Sequence, residues 1–152
     1  MQLSDFKKSL PARKALIGFD YGAKRLGVAV SDLSLTIAGS YTIIQRSSIT
    51  KDMEQIKRIV SEKEIGGMVF GLPLQMNGEE GETAAAVRKF AAEVQAATGL
   101  PCAFWDERLS SSAMENFLIR EVDMSRGKRK KILDASAAAY ILQGFLDALK
   151  NA

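Results

Sequence analysis

Apolar positions recur along the chain with two periods, and the two periods separate predicted strands from predicted helices. Short apolar runs bounded by glycine and other turn residues predict strands over residues 15–20, 27–31, 39–45, 67–72 and 102–107. Apolar positions spaced three and four residues apart predict helices over residues 50–63, 82–98 and 131–149, and a capping box predicts a helix start at residues 112–115. Thr50 is the expected cap of the first helix, and Gly99 is the stop signal of the second.

The order of these elements, βββαβαβαα, predicts an α/β fold. The first three strands follow one another without room for a crossover helix, so they are expected to be antiparallel. The later strands are separated by helices, which favours parallel pairing. We therefore predict a five-stranded mixed sheet, three antiparallel strands then two parallel, flanked by helices. Residues 15–150 are predicted to form a single domain, preceded by a flexible basic leader over residues 1–14.

Composition narrows the chemistry that the chain can perform. The 152 residues are 47% apolar, and no apolar run is long enough to predict a membrane span. The sequence has no histidine, which excludes Ser/His/Asp and Cys/His nucleophiles and histidine-ligated zinc. Cys102 is the single cysteine; we expect it to be a small buried residue, and its isolation suits a reducing cytoplasm.

Positive charge is concentrated in two segments. The net charge is +3, to which residues 1–31 contribute +4 and residues 123–134 contribute +3, so the rest of the chain is acidic. The densest run has five cations in the six positions 126–131. Such a run attracts polyanions, of which phosphate backbones are the most common, although it is equally compatible with a solvated loop.

Acidic residues interrupt the apolar runs at three places. Asp20 ends the first predicted strand, the pair Asp106 and Glu107 ends the fifth, and Asp134 lies near the start of the last helix. Each has an ordinary explanation: Asp134 as an acid in a helix's first turn, and Asp106 or Glu107 paired with Arg108. Together, three acids from three elements can hold hard divalent cations through oxygen ligands, and we expect one or two Mg²⁺ (or Mn²⁺) ions.

Strand geometry distinguishes the two adjacent acids. Successive side chains of a strand alternate between its faces, so Asp106 and Glu107 cannot both reach one metal unless the strand ends or bulges between them. We favour Glu107 as the ligand, with Asp106 in reserve. The segment after Asp20 has two glycines and the cations Lys24 and Arg25, so it predicts a hairpin turn that can present backbone N–H groups and positive charge to a phosphate.

Four segments together resemble the YqgF family of pre-16S rRNA nucleases, also called RuvX or Holliday-junction-resolvase-like proteins. They are DYGAKRLGVA at 20–29, GLPL at 71–74 with NG at 77–78, DERLS at 106–110, and DASAAAYIL at 134–142. The resemblance covers about residues 15–148. Tyr21 stands where Phe or Tyr is usual, Gln75 stands where Asn is more common, and the leader lies outside the pattern.

The resemblance implies an RNase H-like fold, a cytoplasmic bacterial location, a role in maturing the 5′ end of small-subunit rRNA, and metal-dependent phosphodiester cleavage. It implies that Asp20, Asp134 and either Glu107 or Asp106 are catalytic metal ligands. The residues expected to contact the substrate backbone are Lys24, Arg25 and Arg108, with Lys128 and Arg129 from the basic run.

Three other functions stay open at this point. A resolvase of branched DNA junctions would act as a symmetric dimer, and the sequence leaves monomer and homodimer open. An ATP-binding module of the actin or sugar-kinase type also places Asp-x-Gly on a hairpin, although such proteins usually pair two lobes. A ribosome-assembly factor that binds RNA through residues 125–131 without cleaving it is the third.

Overall fold

The computed structural model describes residues 2–75, 77–106 and 126–152, with the backbone alone described over residues 126–136. Within these residues the helices are α1 (Leu3–Ser9), α2 (Ile49–Glu62), α3 (Glu82–Thr98) and α4 (Arg126–Lys150). The strands are β1 (Ala15–Tyr21), β2 (Arg25–Ser31), β3 (Ala38–Gln45), β4 (Ile65–Leu72) and β5 (Cys102–Asp106). None of the described helices combines the length and the apolar character needed to cross a bilayer.

The five strands form one sheet in the order β3-β2-β1-β4-β5. β1 pairs with β2, and β2 with β3, in antiparallel fashion. β4 lies parallel to both β1 and β5. The predicted mixed sheet is therefore confirmed, because short turns join the antiparallel strands while α3 provides the crossover from β4 to β5.

The two faces of the sheet are covered by different helices. On β1, Ile17 and Phe19 belong to the core shared with α2 and α3, whereas Leu16 belongs to the core shared with α4. Gly18 also lies on the α4 side, where a Cβ atom would come within 2.8 Å of Leu142 Cβ. The missing side chain at Gly18 therefore lets α4 pack close to the centre of the sheet.

Helix α4 runs antiparallel to β1. The segment before β1 shares a cavity with Leu149 near the end of the helix, while Gly18 in mid-strand faces Ala138 and Leu142. The helix begins at residue 126 rather than at the predicted 131, so it includes the basic run. Asp134 lies eight residues after the helix start, which places it beyond the first turn and rules out the explanation of Asp134 as a first-turn acid.

The helix boundaries correct one predicted cap and confirm one stop signal. Ser48, and not Thr50, caps α2: its backbone is extended, and its side-chain oxygen accepts a hydrogen bond of 3.2 Å from the Lys51 amide. Gly99 ends α3 with a φ of 73°, as predicted for a glycine stop. The helix predicted to open at residues 112–115 lies outside the described residues.

The N-terminal segment differs from the flexible leader predicted over residues 1–14. Residues 3–9 form α1, and Phe6 of this helix is fully buried against the core on the α4 side. Its ring meets Phe145 edge to face, with the ring centroids 5.3 Å apart. Burial of one phenylalanine contributes about 1.5–3 kcal/mol, which is enough to hold a short helix that would not persist alone.

Candidate active site

Asp20 lies at the carboxyl end of β1, on the face of the sheet that α4 covers. It pairs with Gly27 of β2, and it follows Leu16 and Gly18 at the two-residue period of a strand. It is half-buried and has an interaction partner. The sequence prediction that Asp20 ends a strand at the margin of the core is confirmed, since only Tyr21 follows it in β1.

Asp106 ends β5 on the opposite face from Asp20. Its partner in β4 is Leu72, which belongs to the core shared with α2 and α3, as does Phe104 two residues earlier in β5. Asp106 and Asp20 are therefore separated by the sheet. This register disfavours Asp106 as a ligand of the same ion as Asp20. Glu107 and Arg108 lie outside the described residues.

The turn after β1 gathers Asp20 and two of the predicted substrate-binding cations around one cavity. The cavity measures about 410 Å³ and is lined by Asp20, Lys24 and Arg25, among other residues of the hairpin. Lys24 is exposed and Arg25 is half-buried. Gly22 is required in this turn because a Cβ atom there would lie 2.6 Å from the Arg25 carbonyl oxygen. The hairpin therefore presents a carboxylate and two cations at one surface.

Arg46 holds this turn in place from the side of α2 and α3. Its guanidinium donates a hydrogen bond of 3.2 Å to the Gly22 carbonyl oxygen, and its backbone amide donates one of 2.9 Å to the Lys24 carbonyl oxygen. The guanidinium also lies over the Tyr21 and Phe90 rings, 4.9 Å from each centroid. No sequence motif marks Arg46, because its partners come from three separate elements.

The charge of Arg46 is balanced by a buried carboxylate. Its Nε lies 3.3 Å from Asp52 Oδ2, and Asp52 is only 1% exposed. Asp52 Oδ1 also accepts a hydrogen bond from the Ser47 amide. Burial lowers the pKa of Arg46, but hydrogen bonds and charge interactions with Tyr21 and Asp52 outweigh burial and raise it overall.

A second turn lies at the same edge of the sheet, after β4. Leu74 bridges to Glu80, the Asn77 side chain accepts a hydrogen bond from the Glu79 amide, and Gly78 has a φ of 86°. This confirms the turn predicted from the Asn-Gly pair. Because β4 lies between β1 and β5, the turn follows the strand that separates Asp20 from Asp106.

The described residues contain one of the three favoured metal ligands with its side chain. Asp20 offers the carboxylate oxygens that Mg²⁺ prefers. No group of three acidic, cysteine or histidine side chains suited to a metal occurs among the residues that the structure describes. Asp134, Lys128 and Arg129 lie in α4, where the backbone alone is described.

The backbone of α4 brings position 134 to the level of Asp20. The Ala138 carbonyl oxygen would lie 3.3 Å from a Cβ atom at Gly18. Asp20 is two residues beyond Gly18, about 7 Å along the strand. Position 134 is four residues before Ala138, about 6 Å along the helix. The step from Gly18 to Asp20 runs forward along the chain, and the step from Ala138 to position 134 runs backward. Because β1 and α4 are antiparallel, both steps point the same way in space, so position 134 of the backbone lies level with Asp20.

Comparisons with known proteins agree with this architecture. The family model described as "RuvX: Holliday junction resolvase" matches residues 14–148. A "Putative pre-16S rRNA nuclease" of Rhodospirillum rubrum is 42% identical over 147 residues, covering 97% of this chain and 91% of that protein. A protein of the same name from Thermoanaerobacter pseudethanolicus is 46% identical over 136 residues, covering 90% and 98% respectively.

The fold is also found among solved structures. The structure described as "T. thermophilus RuvC in complex with Holliday junction substrate" superposes with a TM-score of 0.58 at 14% identity, covering 91% of this chain and 98% of that chain. This likeness confirms the RNase H-like fold expected from the sequence. The family model matches residues 14–148, a segment that includes all five strands of the sheet. The chain therefore belongs to the RuvX (YqgF) family.

Proposed function

We propose that this protein is a nuclease that hydrolyses RNA phosphodiester bonds and processes the 5′ end of pre-16S rRNA in the cytoplasm. Asp20, Glu107 and Asp134 are its catalytic carboxylates and hold one or two Mg²⁺ ions. The names of the relatives, which cover nearly the whole chain at 42–46% identity, support the substrate. The position of Asp20 supports the chemistry.

The observation that carries the proposal is the convergence of Asp20 with the backbone of α4 at one edge of the sheet. The spacing of Ala138 and Leu142, which pack towards the sheet, continues four residues back to position 134. Position 134 of the backbone therefore lies about one helical turn before Ala138, at the height of Asp20. We assign the Asp134 carboxylate, on this ground, as a second ligand of the ions that Asp20 holds.

We assign Glu107 as the third ligand because the register of β5 disfavours its neighbour Asp106. Ala103 and Trp105 pack on the α4 side of β5, while Phe104 and Asp106 take the other side. Asp106 therefore faces away from Asp20. Glu107 is the adjacent acid in the sequence and has the longer side chain of the two.

The remaining residues of the site bind and orient the substrate. Lys24 and Arg25 project from the hairpin beside Asp20 and donate hydrogen bonds to phosphate oxygens of the RNA backbone. We assign the same role, contact with the substrate backbone, to Arg108, Lys128 and Arg129. When bound, divalent ions increase the acidity of water and stabilise charge on the phosphate. Arg46 keeps the turn in place.

The test is cleavage of a transcript that contains the 5′ end of 16S rRNA with its leader, in Mg²⁺. Asp20→Asn, Glu107→Gln and Asp134→Asn should each reduce the rate by more than the 10–100-fold typical of losing an outer-shell partner, because each removes a direct ligand. Asp106→Asn is the matched control: it changes the neighbouring acid on the other face, and it should keep the rate within a few-fold of the unmodified protein.

Other outcomes identify the other candidates. Undiminished cleavage by Asp20→Asn contradicts the proposed site. The family description favours a four-way DNA junction as a second substrate, so such a junction is assayed beside the rRNA at equal salt. Paired cuts in the junction without rRNA cleavage would assign the protein to that substrate. RNA binding with no cleavage in any metal would favour an assembly factor instead.

A further inference from the structure

Four cations from three segments surround a second cavity at the opposite end of β1 from Asp20. The cavity measures about 380 Å³; it is lined by Lys7, residues 10–14, residues 33–36, Leu146, Leu149 and Lys150. We call it the N-terminal cavity. Its cations are Lys7, Arg13, Lys14 and Lys150, and all four are exposed. Among the described residues that line it, none is acidic.

The fold brings these charges together and holds them there. Phe6 fixes α1 against α4, so Lys7 lies beside the end of α4, where its Nζ donates a hydrogen bond of 3.3 Å to a backbone oxygen of Ala152. Arg13 and Leu35, on two different walls, have φ values of 60° and 57°. Residues other than glycine seldom adopt this conformation, and they keep it only where the surrounding structure requires it.

The wall opposite the N-terminal segment is a preformed loop. Asp32 accepts hydrogen bonds from the amides of Thr36 and Ile37 and from the Ser34 hydroxyl. These bonds lower the pKa of Asp32, that of Ser34 contributing most. Asp32 therefore stays ionised, but its charge is engaged by the loop itself and it does not line the cavity. Ser34 and Thr36 do line it, and they add hydroxyl groups to the four cations.

Like charges repel, so four of them around one cavity favour an anionic ligand there. Positive charge also lies at the other end of α4, in the run at 126–131, and beside Asp20 on the hairpin. The 25 residues of α4 span about 37 Å. A small anion can occupy the positive charge at one end of α4, whereas an extended polyanion can contact the positive charge at both ends at once.

We propose that the N-terminal cavity binds the phosphate backbone of a nucleic acid, as an anchoring contact about 17 Å along β1 from Asp20. Lys7, Arg13 and Lys150 lie outside the segment that the family model matches, so the family match does not account for this contact. The proposal rests on the proposed function only for its choice of RNA as the probe, since binding does not require cleavage.

The test is the salt dependence of RNA binding by the full chain without divalent cations, so that cleavage does not affect the signal. A fluorescein-labelled single-stranded RNA is titrated by anisotropy at several salt concentrations. The variant Lys7→Gln, Arg13→Gln, Lys14→Gln, Lys150→Gln should make the negative slope of log K against log salt less steep by about 3, because each lost phosphate contact removes about 0.7 from its magnitude. Its affinity should fall at least tenfold at low salt.

The matched control is Lys51→Gln, Lys57→Gln, Arg58→Gln, Lys89→Gln, which removes the same charge from exposed positions of α2 and α3 on the other face. It should leave the slope within one unit of the unmodified protein. Equal slopes for the two quadruple variants would overturn the proposal, because net charge alone would then explain binding. The proposal also fails if RNA binding is unchanged while inorganic phosphate raises the melting temperature of the unmodified protein but not of the cavity variant. That result would assign the cavity to free phosphate.

Discussion

The guanidinium of Arg46 donates a hydrogen bond of 3.2 Å to the carbonyl oxygen of Gly22, two residues after Asp20. The same guanidinium lies 3.3 Å from the buried carboxylate of Asp52. Arg46 thus connects the turn that carries Lys24 and Arg25 to the start of α2. The position of the turn after Asp20 therefore depends on the Arg46–Asp52 ion pair, and neither residue of this pair lines the cavity at Asp20.

Arg46→Ala should lower the free energy of unfolding by about 3–5 kcal/mol, because it leaves Asp52 buried without its partner. Arg88→Ala is the comparison: Arg88 also pairs with a carboxylate, Glu80, and lies over the Phe104 ring, but the pair is more than 40% exposed. Its loss should cost about 0–1 kcal/mol. Urea denaturation measures both, and similar losses for the two variants would contradict the account.

Gly18→Ala should destabilise the protein and reduce cleavage. The new Cβ atom would lie 2.8 Å from Leu142 Cβ and 3.3 Å from the Ala138 carbonyl oxygen, neither of which can rotate away. We expect α4 to shift at a cost of about 1–3 kcal/mol, and Asp134 to shift with it. Gly39→Ala is the control, since nothing lies within 4 Å of its Cβ position. A Gly18→Ala variant as stable and active as Gly39→Ala would refute the close packing of α4.

Gly144→Ala tests the packing of α4 against β5. In an exposed helix this substitution stabilises by about 1 kcal/mol. Here the new Cβ atom would lie 2.9 Å from Trp105 Nε1, a buried atom that has no hydrogen-bond partner among the described residues. We therefore expect a loss of stability, and a smaller loss when Trp105→Phe is also present. A double-mutant cycle from thermal unfolding measures this coupling, which should be about zero if the two side chains do not meet.

Cys102 should react slowly with alkylating reagents at neutral pH. Burial raises the pKa of its thiol from 9.0 to about 11, and the nearby charge of Arg88 offsets only part of this increase. The thiolate is the reactive form, so at pH 8 iodoacetamide should modify the folded protein about 100-fold more slowly than the urea-unfolded chain. The folded rate should keep rising with pH beyond 9. A rate that levels off near pH 9 would show an ordinary thiol.

Local sequence signals predicted the elements that depend on local chemistry. The five strands, the Asn77-Gly78 turn and the stop at Gly99 follow from apolar period and from backbone preferences that one or two residues determine. The first antiparallel strands were also predictable, because short connections leave no other arrangement. Asp20 was identified for the same reason: an acid at the end of an apolar run is visible without the fold.

Features that depend on contacts between distant residues were missed. The docking of α1 requires Phe6 to meet Phe145, and neither residue signals the other in the sequence. The Arg46–Asp52 pair escaped notice because charged residues just before a helix or in its first turn are usually exposed. The opposite faces of Asp20 and Asp106 follow only from the register of β4 between β1 and β5. The early start of α4 was missed because a run of cations is unfavourable at a helix N-terminus.

Metal binding tests most directly whether Asp20 and Asp134 share one ion. Mn²⁺ binding is measured by electron paramagnetic resonance on the full chain, with Asp20→Asn, Asp134→Asn and Asp106→Asn variants compared with the unmodified protein. Asp20→Asn and Asp134→Asn should each weaken Mn²⁺ binding at least tenfold, while Asp106→Asn should bind Mn²⁺ as the unmodified protein does. Unchanged binding by Asp20→Asn, or equal weakening by Asp106→Asn, would contradict the shared ion.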